Sequence, residues 1–185
     1  MAPANQRSTA RWSPAAALAA SSSSSTLICT SRVICSTSPI RKKRSEAARD
    51  WADSRREALL KAKTGFVSET VFSHESKLAL IMQARAMGFD VVLYVVSLDD
   101  PQRLLPRVSQ RVREGGHNVP AQRILERYPR TMANLKKAVR LVDLAFIYDA
   151  AEVEQGAHLL VAMCEREQTT LLVTEQPIWV LKLLG

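Results

Sequence analysis

From residue 46 onward the apolar positions switch repeatedly between helical and strand spacing. Residues 46–63, EAARDWADSRREALLKAK, place Ala47, Trp51, Ala58 and Leu59 near one helical stripe, and Gly65 follows at the stop. GFVSETVF, at 65–72, reads as a short strand rich in β-formers. Ser73 is placed to cap HESKLALIMQARAM, whose Leu78, Ile81, Met82 and Arg85 keep the 3/4 spacing until Gly88 ends the helix. DVVLYVVS, at 90–97, is a near-continuous apolar run, as expected of a strand covered on both faces.

The same alternation then recurs. Asp99 or Asp100 caps a helix with Pro101 in its first turn, and this helix runs to Glu114, ahead of the Gly115–Gly116 break. A longer helix starts after Pro120 and continues toward Val142. Pro106 and Pro129 lie inside these segments and predict a kink or a division in each. LAFIYD (144–149) is a further buried strand, HLLVAMCE and TTLLVTE form a closing hairpin, and Pro177 opens a short last helix. Strands alternating with amphipathic helices predict an α/β fold with βαβ crossovers and a mainly parallel sheet.

Residues 1–45 follow neither period. They hold fifteen Ser or Thr, the run Ser21 to Ser25, an Ala-rich patch at Ala15 to Ala20 and no glycine. Such a stretch buries too little apolar surface to offset chain entropy, so it is expected to be a disordered leader, with 46–185 as the one folded domain. Its Arg- and Ser-rich, acid-free composition also fits an organellar transit peptide, or a start assigned outside the natural reading frame. The leader holds seven basic residues and no acid, so most of the net charge of +8 sits there, and the rest of the chain carries 19 basic against 18 acidic residues. A nearly neutral domain without a reading motif argues against a nucleic-acid partner. No apolar run approaches the ~20 residues needed to cross a bilayer. Cys29, Cys35 and Cys164 lack a CxxC spacing and read as reduced, cytoplasmic thiols.

Two groups of residues stand where chemistry is expected. In an open parallel sheet, ligands bind beyond the carboxyl ends of the strands, and Glu69 and Thr70 end the first clear strand. A carboxylate there can orient a substrate hydroxyl; the alternative is a solvent-facing Glu or one paired with Arg. The second group is RVREGGHNVPAQRILERYPR, 111–130, with five arginines and no lysine. Guanidinium grips phosphate oxygens bidentately, whereas an ammonium is a solvated point charge. Arg123, Arg127 and Arg130 share a helical face, and Arg107 and Arg111 share one on the helix before. The connection with Gly115, Gly116 and His117 suits a helical hairpin that closes over a site as a lid. The alternative is a solvated basic face with Glu114 and Glu126 as ion-pair partners. His74, His117 and His158 show no metal-ligand spacing, so no metal ligand is assigned, and Met82, Met87 and Met132 read as core filler.

FVSETVFSHESKLALIMQARAMGFDVVLYVVSLD, then RVSQRVREGGHNVPAQRILERYPRTMANL and DLAFIYD, resemble the zeta toxin family of P-loop kinases, in particular its bacterial branch of small ATPase-like proteins. The resemblance spans roughly 46–185. It implies a three-layer P-loop-kinase-like fold, ATP with Mg²⁺ as phosphoryl donor, a small hydroxyl acceptor such as UDP-N-acetylglucosamine, and an antitoxin as protein partner. By the same resemblance Arg127 and Arg130 act near the phosphates, Glu69 and Thr70 lie on the substrate side, and Arg111, Gly115, Gly116 and His117 belong to the lid. The family opens with a P-loop strand and an Asn-x-Asp segment whose aspartate serves as base; here the first glycine is Gly65, no GxxxxGK[ST] occurs, and residues 148–150 read YDA where YDN is common. The expected fold therefore lacks its N-terminal strand and P-loop, and the expected activity is an impaired phosphotransferase or, alternatively, a non-catalytic remnant that binds a nucleotide or a partner.

Overall fold

The computed structural model describes residues 26–30, 39–114, 119–151 and 158–185, with side chains from Ala47 onward, Arg111 excepted. In chain order the elements are β1 (Thr26–Thr30), α1 (Pro39–Lys61), β2 (Phe66–Glu69), α2 (Ser76–Ala86), β3 (Asp90–Ser97), a 3₁₀ turn (Pro101–Arg103), α3 (Leu104–Arg113), α4 (Ala121–Leu141), β4 (Leu144–Asp149), β5 (Leu159–Glu165), β6 (Gln168–Leu171) and α5 (Ile178–Leu184). The six strands form one mixed sheet in the order β2-β1-β3-β4-β5-β6. The β2-β1, β1-β3 and β3-β4 pairs are parallel, whereas β4-β5 and β5-β6 are antiparallel. Helices α1 to α4 all fall in the crossovers between parallel strands, which is what an α/β alternation requires.

Two parts of the expected leader are structured. Thr26–Thr30 is a strand lying between β2 and β3, in the slot expected to be empty, and α1 begins at Pro39, within the stretch expected to be disordered. Averaging over 45 residues hid a local signal: TLICT is apolar and β-branched, which favours a pleated, paired backbone. The remaining leader residues, 1–25 and 31–38, lie outside the described residues.

The core follows one face of the sheet. Val91, Leu93 and Val95 of β3 and Ala145 and Ile147 of β4 are all 0% exposed, and Ile81, Ala84, Leu135, Ala138, Trp179 and Val180 join them in the same cluster. The other face is not sealed. Val92, Tyr94 and Val96 are half-buried, so β3 is a strand with one fully buried face and not two. Tyr94 stacks there on Phe146, ring centroids 5.1 Å apart, and on Tyr148 at 6.5 Å. Aromatic stacking of this kind shields ring area from water, and Tyr148 is buried by it to 8% exposure.

Several local expectations are revised. Ser73 does not cap α2; Nδ1 of His74 accepts the backbone N–H of Ser76 at 3.1 Å in its place. β2 stops at Glu69, before Val71 and Phe72. Met82 is 59% exposed and is not core, because the buried stripe of α2 is Leu78, Ile81 and Ala84; Trp51 is 70% exposed. α4 runs unbroken through Pro129, and Pro106 falls in the first turn of α3, where its missing N–H costs no helical bond. Among the described residues no helix is long and apolar enough to cross a membrane.

Candidate functional site

The carboxyl ends of β2, β1, β3 and β4 lie along one rim of the sheet, because all four strands run the same way. Thr30 pairs with Glu69 on one side and Tyr94 on the other, and Ser97 pairs with Asp149 further out. Glu69 is exposed at the strand tip and Thr70, just beyond it, is half-buried.

Helix α4 is fastened to this rim by side chains that reach backbone carbonyls. Thr131 Oγ1 donates to the Val71 carbonyl at 3.1 Å, and buried Asn134 Nδ2 donates to the Phe72 carbonyl at 2.9 Å. Tyr128 Oη donates to the Leu98 carbonyl, just past β3, at 2.6 Å. Burial raises the Tyr128 phenol above its ordinary value, and the carboxylates of Asp99, Asp100 and Asp149 push the same way against a lowering contact with Ser97. That phenol stays protonated and works as a donor.

The arginines ride on the same helix. Arg127 lies one turn ahead of Thr131, and Arg130 one turn ahead of Asn134, so each stands next to a residue that holds the Val71–Phe72 segment after β2. Arg127 is half-buried; Arg123 and Arg130 are exposed. The two acids expected as ion-pair partners accept hydrogen bonds from neutral amides instead. Glu126 accepts from the Gln122 amide at 2.8 Å, and Glu114 from the Gln110 amide at 2.6 Å. Arg113 donates to Gln110 Oε1 at 2.7 Å. Among the described residues, no ion pair joins Arg123, Arg127 or Arg130 to a carboxylate. Arg123 and Arg130 thus lie on a solvated face, and among the described residues the expected ion pairs with Glu114 and Glu126 are not formed.

Arg103 and Arg107 do different work. Arg103 Nη2 donates to the Ala151 carbonyl at 2.5 Å, and Arg107 Nη2 donates to that of Ala150, so both tie the start of α3 to the exit of β4. These arginines are structural braces. Arg111 lies in α3, but its side chain, together with Gly115, Gly116 and His117, is outside the described residues.

The acidic groups at the rim are also committed. Asp99 Oδ1 accepts the Trp179 backbone N–H at 2.6 Å, Asp149 Oδ1 accepts the Trp179 indole N–H at 2.9 Å, and Asp100 Oδ1 accepts the Gln102 N–H at 2.8 Å. Of Asp99 and Asp100, it is Asp100 that caps the turn opened by Pro101, whereas Asp99 and Asp149 hold Trp179 from far along the chain. Among the described residues no group of three or more His, Cys, Asp or Glu is arranged to hold a metal ion. A groove of about 250 Å³ between α1 and α2 is lined by Asp53, Arg56, Leu60, Lys77, Leu80 and Gln83, and includes neither Glu69 nor the α4 arginines.

Sequence reasoning singled out Glu69, Thr70, Arg127 and Arg130; Arg127 and Arg130 lie on α4, and Glu69 and Thr70 directly precede the Val71–Phe72 segment that α4 bonds. It assigned nothing to Tyr128, Thr131 or Asn134. The available signal was polarity out of place: Thr131 and Asn134 interrupt the apolar stripe of Ile124, Leu135 and Ala138. No family model, curated protein or solved structure matches the chain.

Proposed function

We propose that this chain is an ATP-dependent phosphotransferase of the zeta toxin type, acting on a small hydroxyl acceptor such as a nucleotide sugar, with its turnover impaired. The observation that carries the reading is a set of arginines without carboxylate partners among the described residues, on a helix bonded to Val71 and Phe72, which directly follow Glu69 and Thr70. Guanidinium groups beside this rim favour an anionic ligand, and their planar forks match phosphate oxygens. In this reading Arg127 and Arg130 hold phosphate oxygens and offset the charge that builds on them during transfer. Glu69 and Thr70 orient the acceptor hydroxyl. ATP supplies the phosphoryl group, and these residues suit its phosphates.

Magnesium fits less well. Asp99, Asp100 and Asp149, the aspartates at this rim, already accept hydrogen bonds from the protein. The missing GxxxxGK[ST] removes the usual backbone cradle and its lysine. That absence favours the second reading, a nucleotide- or partner-binding module without turnover, which keeps the same arginines in the same role. An antitoxin-like protein remains the expected partner under either reading.

Incubation with γ-labelled ATP and UDP-N-acetylglucosamine separates the two. Label transferred to the sugar nucleotide, and abolished in Arg127→Ala, supports the enzyme. Nucleotide binding without transfer supports the module, and neither binding nor transfer rejects both.

A further inference from the structure

Phe72 is a bulky residue with a φ of 58°, in the left-handed region that such side chains avoid, and it is fully buried. A residue persists there only when its surroundings hold it, and such positions concentrate at sites where geometry matters. Here the restraint comes from one helix. Asn134, 5% exposed, donates to the Phe72 carbonyl at 2.9 Å, and Thr131 donates to the Val71 carbonyl at 3.1 Å. Neither bond belongs to the ladder of β2 or to the helical ladder of α4. Both residues also lie one turn after an arginine of the site.

We propose that Thr131 and Asn134 are positioning residues, a two-point clamp that fixes the spacing between the acceptor-side pair Glu69–Thr70 and the phosphate-side pair Arg127–Arg130. The clamp rests on the function proposed above. Its logic is geometric: Val71 and Phe72 directly follow the acceptor-side pair, so any slip of this segment along α4 changes the distance across which a phosphoryl group must pass. A site held only by strand pairing would let that tip fray, because Glu69 is the last residue of β2. The left-handed turn at Phe72 makes the path abrupt, and the two donors keep it from relaxing.

The test compares the full chain with Thr131→Val, which keeps shape and loses the hydroxyl, and with Thr131→Ser, which keeps the donor. Asn134→Ala removes a buried amide and puts folding itself at risk, so Thr131 carries the experiment. Binding of UDP-N-acetylglucosamine and of Mg-ATP is measured by calorimetry, and amide exchange is followed over residues 69–74. The clamp predicts UDP-N-acetylglucosamine binding weakened roughly five- to tenfold in Thr131→Val, the scale of one lost hydrogen bond, with recovery in Thr131→Ser. It also predicts faster exchange at residues 70–73, with β4 unchanged. If the unsubstituted chain binds the sugar nucleotide and Thr131→Val binds it equally well, the positioning role is wrong and the proposed function stands. If the unsubstituted chain binds neither compound, the proposed function fails and the clamp fails with it.

Discussion

Asp99 reaches across the fold to start a helix it does not belong to. α5 is seven residues long, its N-cap position is Pro177, and no side chain of its own caps it. Asp99 Oδ1 instead accepts the Trp179 N–H at 2.6 Å, from a position 80 residues earlier in the chain. A helix this short does not hold together in water on its own, so it depends on this bond and on burial of Trp179, Val180 and Leu183, at 2%, 0% and 2% exposed. Asp99→Ala removes a charged cap and leaves an unpaired N–H at a part-buried site, a loss of about 1–2 kcal/mol. Asp99→Asn keeps an acceptor of the same length and should stay within about 0.5 kcal/mol of the parent. Guanidinium unfolding followed by tryptophan fluorescence measures both, with the slope unchanged if only the cap is affected. A loss under about 0.3 kcal/mol in Asp99→Ala would show that burial alone seats α5 and that the cap argument is wrong.

Other outcomes follow from the same contacts. Leu135→Ala, at a position 1% exposed, should cost about 2–5 kcal/mol in equilibrium unfolding, whereas Met82→Ala, at 59% exposed, should cost under about 0.5 kcal/mol. Arg107→Ala leaves the Ala150 carbonyl without its guanidinium donor and should destabilise by about 1.5–3 kcal/mol, with amide exchange rising first around Ala150 and Ala151. Burial raises the Cys164 thiol above its ordinary 9.0 and the Tyr94 and Tyr148 phenols above their ordinary 10.0. A raised folded-state value means that the neutral group's stabilisation is complete below the unfolded value and is lost as pH climbs through the folded one. Stability should therefore be insensitive to these groups near neutral pH and fall in the alkaline range, with Cys164→Ala delaying the onset in a series of denaturation curves.

The alternation of apolar spacing made the elements after residue 46 readable, because amphipathic helices and apolar strands differ in period and Gly and Pro mark their ends. β1 was hidden for the opposite reason: five apolar and β-branched residues gain a partner only through β2 and β3, which arrive later in the chain. Which face of β3 is sealed was equally out of reach, since DVVLYVVS is apolar on both sides and only tertiary packing distinguishes Val91 from Val92. At the site, residue type pointed to Arg127, Arg130, Glu69 and Thr70, but which partners the neighbouring glutamates took depended on rotamers. Glu126 and Glu114 were within helical reach of arginines, yet both took amide partners. Thr131 and Asn134 act on backbone carbonyls some 60 positions away, a relation that leaves no local pattern.

Titration of Mg-ATP into the unsubstituted chain and into the Arg127→Ala, Arg130→Ala double variant tests the central claim most directly. The account predicts a saturable site in the parent, weakened at least about tenfold in the variant through loss of charge-assisted contacts, while the two chains unfold at similar denaturant concentrations. Equal heats from both chains, or no heat from the parent at millimolar nucleotide, would contradict it.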